Sequence, residues 1–169
     1  MIILGIDPGL THLGYAVLER GDGGRIALLD IGCVAPPFDV SDADTTTRLL
    51  EWRAAYQSKW LLDRARMWGP HLMVWERLTF VQHLSSAAKL SCSHGVVMCA
   101  KMALQIPSYT VSTIEARKAF IGVGCEKKDV VEWAERRFGA AALIHVKRAE
   151  REHAADAALI AAYAERDAA

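Results

Sequence analysis

Apolar positions follow two rhythms along this chain. Ile2 to Ile6 is an unbroken apolar run, which reads as a strand buried on both faces, and Asp7-Pro8-Gly9 stops it with turn residues. Gly14-Tyr15-Ala16-Val17-Leu18 reads as a second strand, Gly21-Asp22-Gly23-Gly24 as a hairpin turn, and Ile26 to Val34 as a third strand closed by Pro36-Pro37. The chain thus opens as an antiparallel meander. After a polar, acidic loop over 38–46 the rhythm changes. Leu49, Leu50, Trp52, Tyr56, Trp60, Leu61 and Ala65 recur at helical spacing, which predicts a helix from about Thr47 to Trp68, stopped by Gly69-Pro70.

Strands and helices then alternate. Leu72 to Trp75 is a fourth strand that ends at Glu76. A helix over about Ser85 to Leu104 is rich in Ala, Ser, Cys and Gly, and such small side chains permit close helix contact within one protomer or across a dimer. Tyr109 to Val111 is a fifth strand, 114–120 a short helix, Ile121-Gly122-Val123-Gly124 a loop and Lys127 to Phe138 a further helix. A polar loop leads to a last, alanine-dominated helix from Glu152 to Glu165. A meander followed by strand–helix alternation implies an α/β fold: a mixed five-stranded sheet with helices on its faces.

Composition narrows the picture. At 169 residues and 52% hydrophobic, the chain suits one domain with a full core over 1–169. No apolar stretch reaches the roughly 18 residues of a membrane span. The N-terminus has no basic start and reads as a strand, not a secretory signal. Cys33, Cys92, Cys99 and Cys125 show no CxxC spacing, which argues against a zinc site; reduced thiols in a cytoplasm are expected. The formal charge is zero overall but uneven. Residues 1–60 hold 5 Lys/Arg and 8 Asp/Glu, residues 61–151 hold 14 and 8, and residues 152–169 hold 1 and 4. A basic middle between acidic ends can form a phosphate-binding face, or simply solvated helix surface.

Four residues could carry chemistry. Asp7 and Glu76 each close a short apolar strand at its C-terminal end, where ligands collect in α/β sheets. The bland alternatives are a turn-forming Asp before Pro-Gly and a Glu paired with Arg77 or another cation. His153 and Asp156 lie three apart at the start of the last helix, on one face, among alanines that let the helix approach a sheet; against this, Asp156 could be a surface residue that favours the helix N-terminus. Together they would make a cluster of three carboxylates and an imidazole, a donor set for Mg²⁺ or Mn²⁺. Two such ions about 4 Å apart can activate a water and stabilise a leaving 3′-oxygen in phosphodiester hydrolysis. In that scheme Asp7 bridges both ions, Glu76 and Asp156 bind one each, and His153 ligates or transfers protons.

The sequence resembles the RuvC family of Holliday junction resolvases nearly end to end and in motif order. Gly5-Ile6-Asp7-Pro8-Gly9, with the later Gly14-Tyr15, looks like the family's opening; Glu76 sits at its second acidic motif; and His153-Ala154-Ala155-Asp156-Ala157 resembles its terminal motif. Arg117-Lys118, Gly122-Val123-Gly124 and Lys127-Lys128 look like its basic stretch. The resemblance implies a ribonuclease-H-like fold, a homodimer, and paired symmetrical nicks across a four-way junction by an endodeoxyribonuclease. It makes Asp7, Glu76, His153 and Asp156 the catalytic metal site. It puts Arg117, Lys118, Lys127 and Lys128 against DNA, where such cations give salt-dependent binding. In the loop Arg77-Leu78-Thr79-Phe80, the resemblance offers Phe80 as the aromatic that stacks into the junction core, and Arg77 beside it is a further candidate DNA contact. Arg77-Leu78 departs from the usual family sequence, which bears on cleavage preference. Divergent members cut forks and flaps as well.

Two other classes remain beside this one. Asp7-Pro8-Gly9-Leu10-Thr11 next to a meander also resembles the first phosphate loop of sugar kinases and actin-like ATPases, but those need two lobes and a second phosphate loop. A non-catalytic junction binder of the same fold would not need all four candidate ligands. No motif specifies a branch-migration or replication partner.

Overall fold

The computed structural model describes residues 1–38, 45–78 and 84–167. Its elements are β1 (Ile2–Asp7), β2 (Leu13–Arg20), β3 (Ile26–Val34), α1 (Thr46–Trp68), β4 (Leu72–Glu76), α2 (Leu84–Leu104), β5 (Ser108–Val111), α3 (Thr113–Phe120), α4 (Lys127–Phe138) and α5 (Arg151–Asp167). The five strands form one sheet in the order β3-β2-β1-β4-β5. β1–β2 and β2–β3 are antiparallel, while β1–β4 and β4–β5 are parallel. This is the mixed sheet that the meander and the later alternation predict. The turn between β2 and β3 is a short 3-10 turn, Asp22–Gly24, in which Gly23 and Gly24 both take φ of 74°, a conformation that costs glycine little.

Each strand residue alternates between two cores, because successive Cβ atoms point to opposite faces. Leu4 and Ile6 of β1 join Leu13, Tyr15 and Val17 of β2 against Leu61 and Ala65 of α1 and Val96, Val97 and Ala100 of α2. Ile3 faces the other way, with Ala16, Leu18 and Val74, into a core built from α5, α4 and α3. The sheet is therefore the middle of three layers, and both of its faces are buried over most of β1, β2 and β4. Burying each Leu or Ile there contributes roughly 1.5–3 kcal/mol.

α1 begins at Thr45, whose hydroxyl accepts from the Arg48 amide at 3.1 Å, and ends at Gly69, whose φ of 57° lets its amide reach the Ala65 carbonyl at 2.8 Å. The polar loop before α5 is more ordered than its sequence suggests. Leu143 and Val146 are buried in it, and a 3-10 turn, Arg148–Glu150, leads into α5.

α5 lies across β1 and β2 because nothing keeps it away. A Cβ at Gly5 would collide with the Ala157 carbonyl, and one at Gly14 with the carbonyl of His153. Ala154, Ala157, Ala158 and Ala161 are all fully buried on the helix side. Two glycines in the sheet and a row of alanines in the helix thus bring backbone against backbone, and this contact fixes where His153 and Asp156 stand.

Candidate active site

The strand alternation decides which way the carboxylates face. Ile3, Gly5 and Asp7 share the α5 side of β1, as Leu72, Val74 and Glu76 do on β4. The parallel register pairs Ile6 with Trp75, so the next step places Asp7 beside Glu76 on neighbouring strands, at a spacing of about 4.8 Å between strands. α5 then lowers His153 and Asp156 onto the same rim. His153 Nδ1 and Asp7 Oδ2 share a hydrogen bond of 2.7 Å. The His153 ring also stacks on His12, with ring centres 5.6 Å apart and planes 1° from parallel.

Each acidic side chain has its own internal partner. Glu76 accepts from the hydroxyl of Thr113, at the start of α3. Asp156 takes the Arg117 guanidinium with both oxygens: Nε and Nη2 donate to Oδ1 at 3.1 and 2.9 Å, and Nη2 donates to Oδ2 at 2.7 Å. Burial pushes the Glu76 carboxyl above its ordinary value; the Thr113 bond opposes this, and the charges of Asp7 and Asp156 add to it. Asp156 also goes up, chiefly from burial and then from Asp7, although Arg117 pulls the other way. An ion pair alone would lower it, so here desolvation outweighs the pair. The bond to Asp7 raises the His153 imidazole against the effect of its burial. These mutual effects place Asp7, Glu76, Asp156 and His153 in one electrostatic cluster.

The chemistry of the donor set fits a hard divalent cation: three carboxylates, two of them destabilised by burial and by the charge of Asp7, with one imidazole alongside. Among the described residues, however, no three His, Cys, Asp or Glu side chains stand where a single ion would touch them all. Cys33 also lies close to this rim, where burial, then Glu150 and Asp7, push its thiol up to about 12, which disfavours the thiolate.

The basic candidates fall into three positions. Arg117 is inside the site, on Asp156. Lys127 sits at its lip, bound to Glu152 at 2.8 Å. Lys118 is exposed and lines a cleft of about 180 Å³ with Ile114, Arg117, Gly122, Val123, Gly124 and Cys125. Lys128 is also exposed, 3.0 Å from Glu126 and 70% open to solvent. Arg77 is exposed just past Glu76, its amide held by the Val111 carbonyl at 2.7 Å. Phe80 lies outside the described residues.

Two supporting side chains carry no motif. Thr113 anchors Glu76. Gln57 of α1 is fully buried and donates to the carbonyls of Gly9 and Leu10 at 2.8 and 3.3 Å, pinning the loop that follows Asp7. A polar residue in the buried stripe of Leu49, Leu61 and Ala65 is the sequence signal for Gln57. Thr113 offers none, since its partner is distant in the chain.

A mixed sheet of this order, with carboxylates at the β1/β4 rim under the final helix, has the ribonuclease-H-like fold. The sequence model of the family described as crossover junction endodeoxyribonuclease RuvC matches residues 3–163, and the chain belongs to that family. The RuvC of Protochlamydia amoebophila is 31% identical over 137 residues, covering 81% of this chain and 76% of that protein. The RuvC of Legionella pneumophila is 29% identical over 160 residues, covering 95% and 84%. Among solved structures, Thermus thermophilus RuvC in complex with a Holliday junction substrate superposes with a TM-score of 0.76 at 23% identity over 99% of this chain and 96% of that one.

Proposed function

We propose that this chain is a metal-dependent endodeoxyribonuclease that resolves four-way DNA junctions by paired nicks as a homodimer. The observation that carries the reading is the convergence of Asp7, Glu76, His153 and Asp156 at one rim of the sheet, in a chain that belongs to the RuvC family. One or two Mg²⁺ or Mn²⁺ ions bound there would supply activation of the attacking water and charge stabilisation of the leaving 3′-oxygen. Asp7, Glu76 and Asp156 are the residues to hold them, and Thr113 orients Glu76 for that task. His153, bonded through Nδ1 to Asp7, keeps a proton available at the rim beside the reacting phosphate. Lys118, Lys127 and Lys128 neutralise the flanking phosphates, and the α5 backbone against Gly5 and Gly14 keeps the cluster rigid.

The partner in the dimer is a second copy seated on α2. Ala88, Cys92, Gly95 and Cys99 form one exposed face of that helix, flanked by Met98 and Met102, which are 42% and 73% exposed. Exposed apolar surface of this kind marks an association site.

A gel assay tests the reading. Four-way junction, fork, flap and linear duplex are incubated with the protein in Mg²⁺ and in Mn²⁺. The proposal expects symmetrical nicks in the junction and an intact duplex. Fork and flap cutting at the junction's rate would widen the substrate class to branched DNA. Cutting of duplex at the same rate, or no cutting with either ion, would overturn it.

A further inference from the structure

We infer that Arg117 occupies the cation position of this site in the metal-free chain, holding Asp156 out of ligation until a DNA phosphate takes the guanidinium. The inference rests on the metal-dependent reading above and assigns Arg117 a positioning role in it.

The three carboxylates are not held alike. Asp7 uses Oδ2 for His153, and Glu76 uses Oε1 for the Thr113 hydroxyl. Asp156 alone has both oxygens bound to a permanent cation, through three hydrogen bonds of 2.7 to 3.1 Å. The pair is sheltered, with side-chain exposures of 24% for Arg117 and 11% for Asp156, so water does not weaken it as it would a surface bridge. While the fork is closed, Arg117 takes three of the roughly four lone-pair directions of Asp156, so a cation there must compete with the guanidinium.

The guanidinium also has somewhere else to go. Arg117 lies in the last turn of α3 and lines the open cleft beside Lys118 and the Gly122–Gly124 loop. A phosphate there offers the same planar, two-oxygen acceptor that Asp156 does. When DNA enters the cleft, Arg117 exchanges carboxylate for phosphate, and Asp156 is released toward the ion. Metal and DNA then favour one another, and by linkage each raises the affinity of the other by the same factor.

Calorimetric titration of the full chain with Mn²⁺ alone, without DNA, tests the exchange. Arg117→Gln is expected to tighten Mn²⁺ binding by about tenfold, within the usual range of coupling between sites. Arg117→Lys, which keeps the charge and loses the fork, is expected to tighten it by a smaller factor, and it serves if the Gln variant fails to fold. Lys127→Gln is the control for charge alone: Lys127 feels Asp156 electrostatically without touching it, and its removal should leave the affinity within about twofold of the parent. In the reverse direction, Asp156→Asn should strengthen metal-free junction binding in EDTA more than Glu76→Gln does. Equal shifts in Arg117→Gln and Lys127→Gln, or no tightening in either Arg117 variant, would refute the exchange while the metal reading stands. No Mn²⁺ binding to the parent or any variant, with or without junction, would instead remove the metal reading itself.

Discussion

Glu76 and Asp156 sit where their charge is disfavoured, and that cost should be visible in the pH dependence of folding. Both carboxyls bind a proton more tightly in the folded chain than in the unfolded one. Their contribution to stability is therefore complete below the ordinary carboxylate range and is lost as pH climbs through the higher folded value. His153 acts in the same direction from its ordinary 6.5 upward, since its bond to Asp7 raises it. Thermal stability should thus decline from mildly acid toward alkaline pH. Glu76→Gln keeps an acceptor for Thr113 and removes one of these charges. It should abolish cleavage, raise stability at neutral pH by about 1 kcal/mol, and flatten the acid part of the profile. Calorimetric melting across pH measures all but the cleavage, and a Gln variant that melts below the parent at neutral pH would show that the Glu76 charge is not disfavoured.

At the level of elements, the site depends on how closely α5 approaches the sheet. Gly14→Ala puts a methyl group into the carbonyl of His153, and the helix must shift to admit it. The expected loss is about 1–3 kcal/mol in denaturant unfolding, with the m-value unchanged and cleavage falling more steeply than stability. A variant as active as the parent would mean that the close contact does not set the geometry.

The elements themselves were legible in the chain. Short apolar runs and helical spacing, with Gly69-Pro70 and Asp7-Pro8-Gly9 as stops, mark strands and helices to within a residue or two. Asp7 and Glu76 were legible as strand-ending carboxylates, because each interrupts an apolar run. Three things were not: the bond from Thr113 to Glu76, the hold of Gln57 on the Gly9 carbonyl, and the capture of Asp156 by Arg117. Each joins residues 37 to 48 positions apart, and such pairings arise only when the layers pack. Arg117 illustrates the difference. The basic stretch marks it as a phosphate contact, whereas the folded chain first gives it to Asp156.

For the molecule as a whole, the two layers of helices divide the labour. α5, α4 and α3 build and flank the acidic rim, while α1 and α2 cover the opposite face and leave the small-residue side of α2 open. If that side pairs with a second copy, Ala88→Arg should convert dimer to monomer in sedimentation without loss of the folded circular dichroism spectrum, because Ala88 is exposed within one chain. An unchanged dimer would move the interface elsewhere. Paired nicking would fall with the dimer, since each rim of carboxylates can address one strand only. The most direct test of the whole account compares the parent chain with Asp7→Asn on one synthetic four-way junction in Mn²⁺, scoring cleavage and binding in the same gel. The account predicts that the variant retains the junction in a shifted band and cuts it at least about a hundredfold more slowly. Cleavage by Asp7→Asn at the parent's rate would place the chemistry outside this rim.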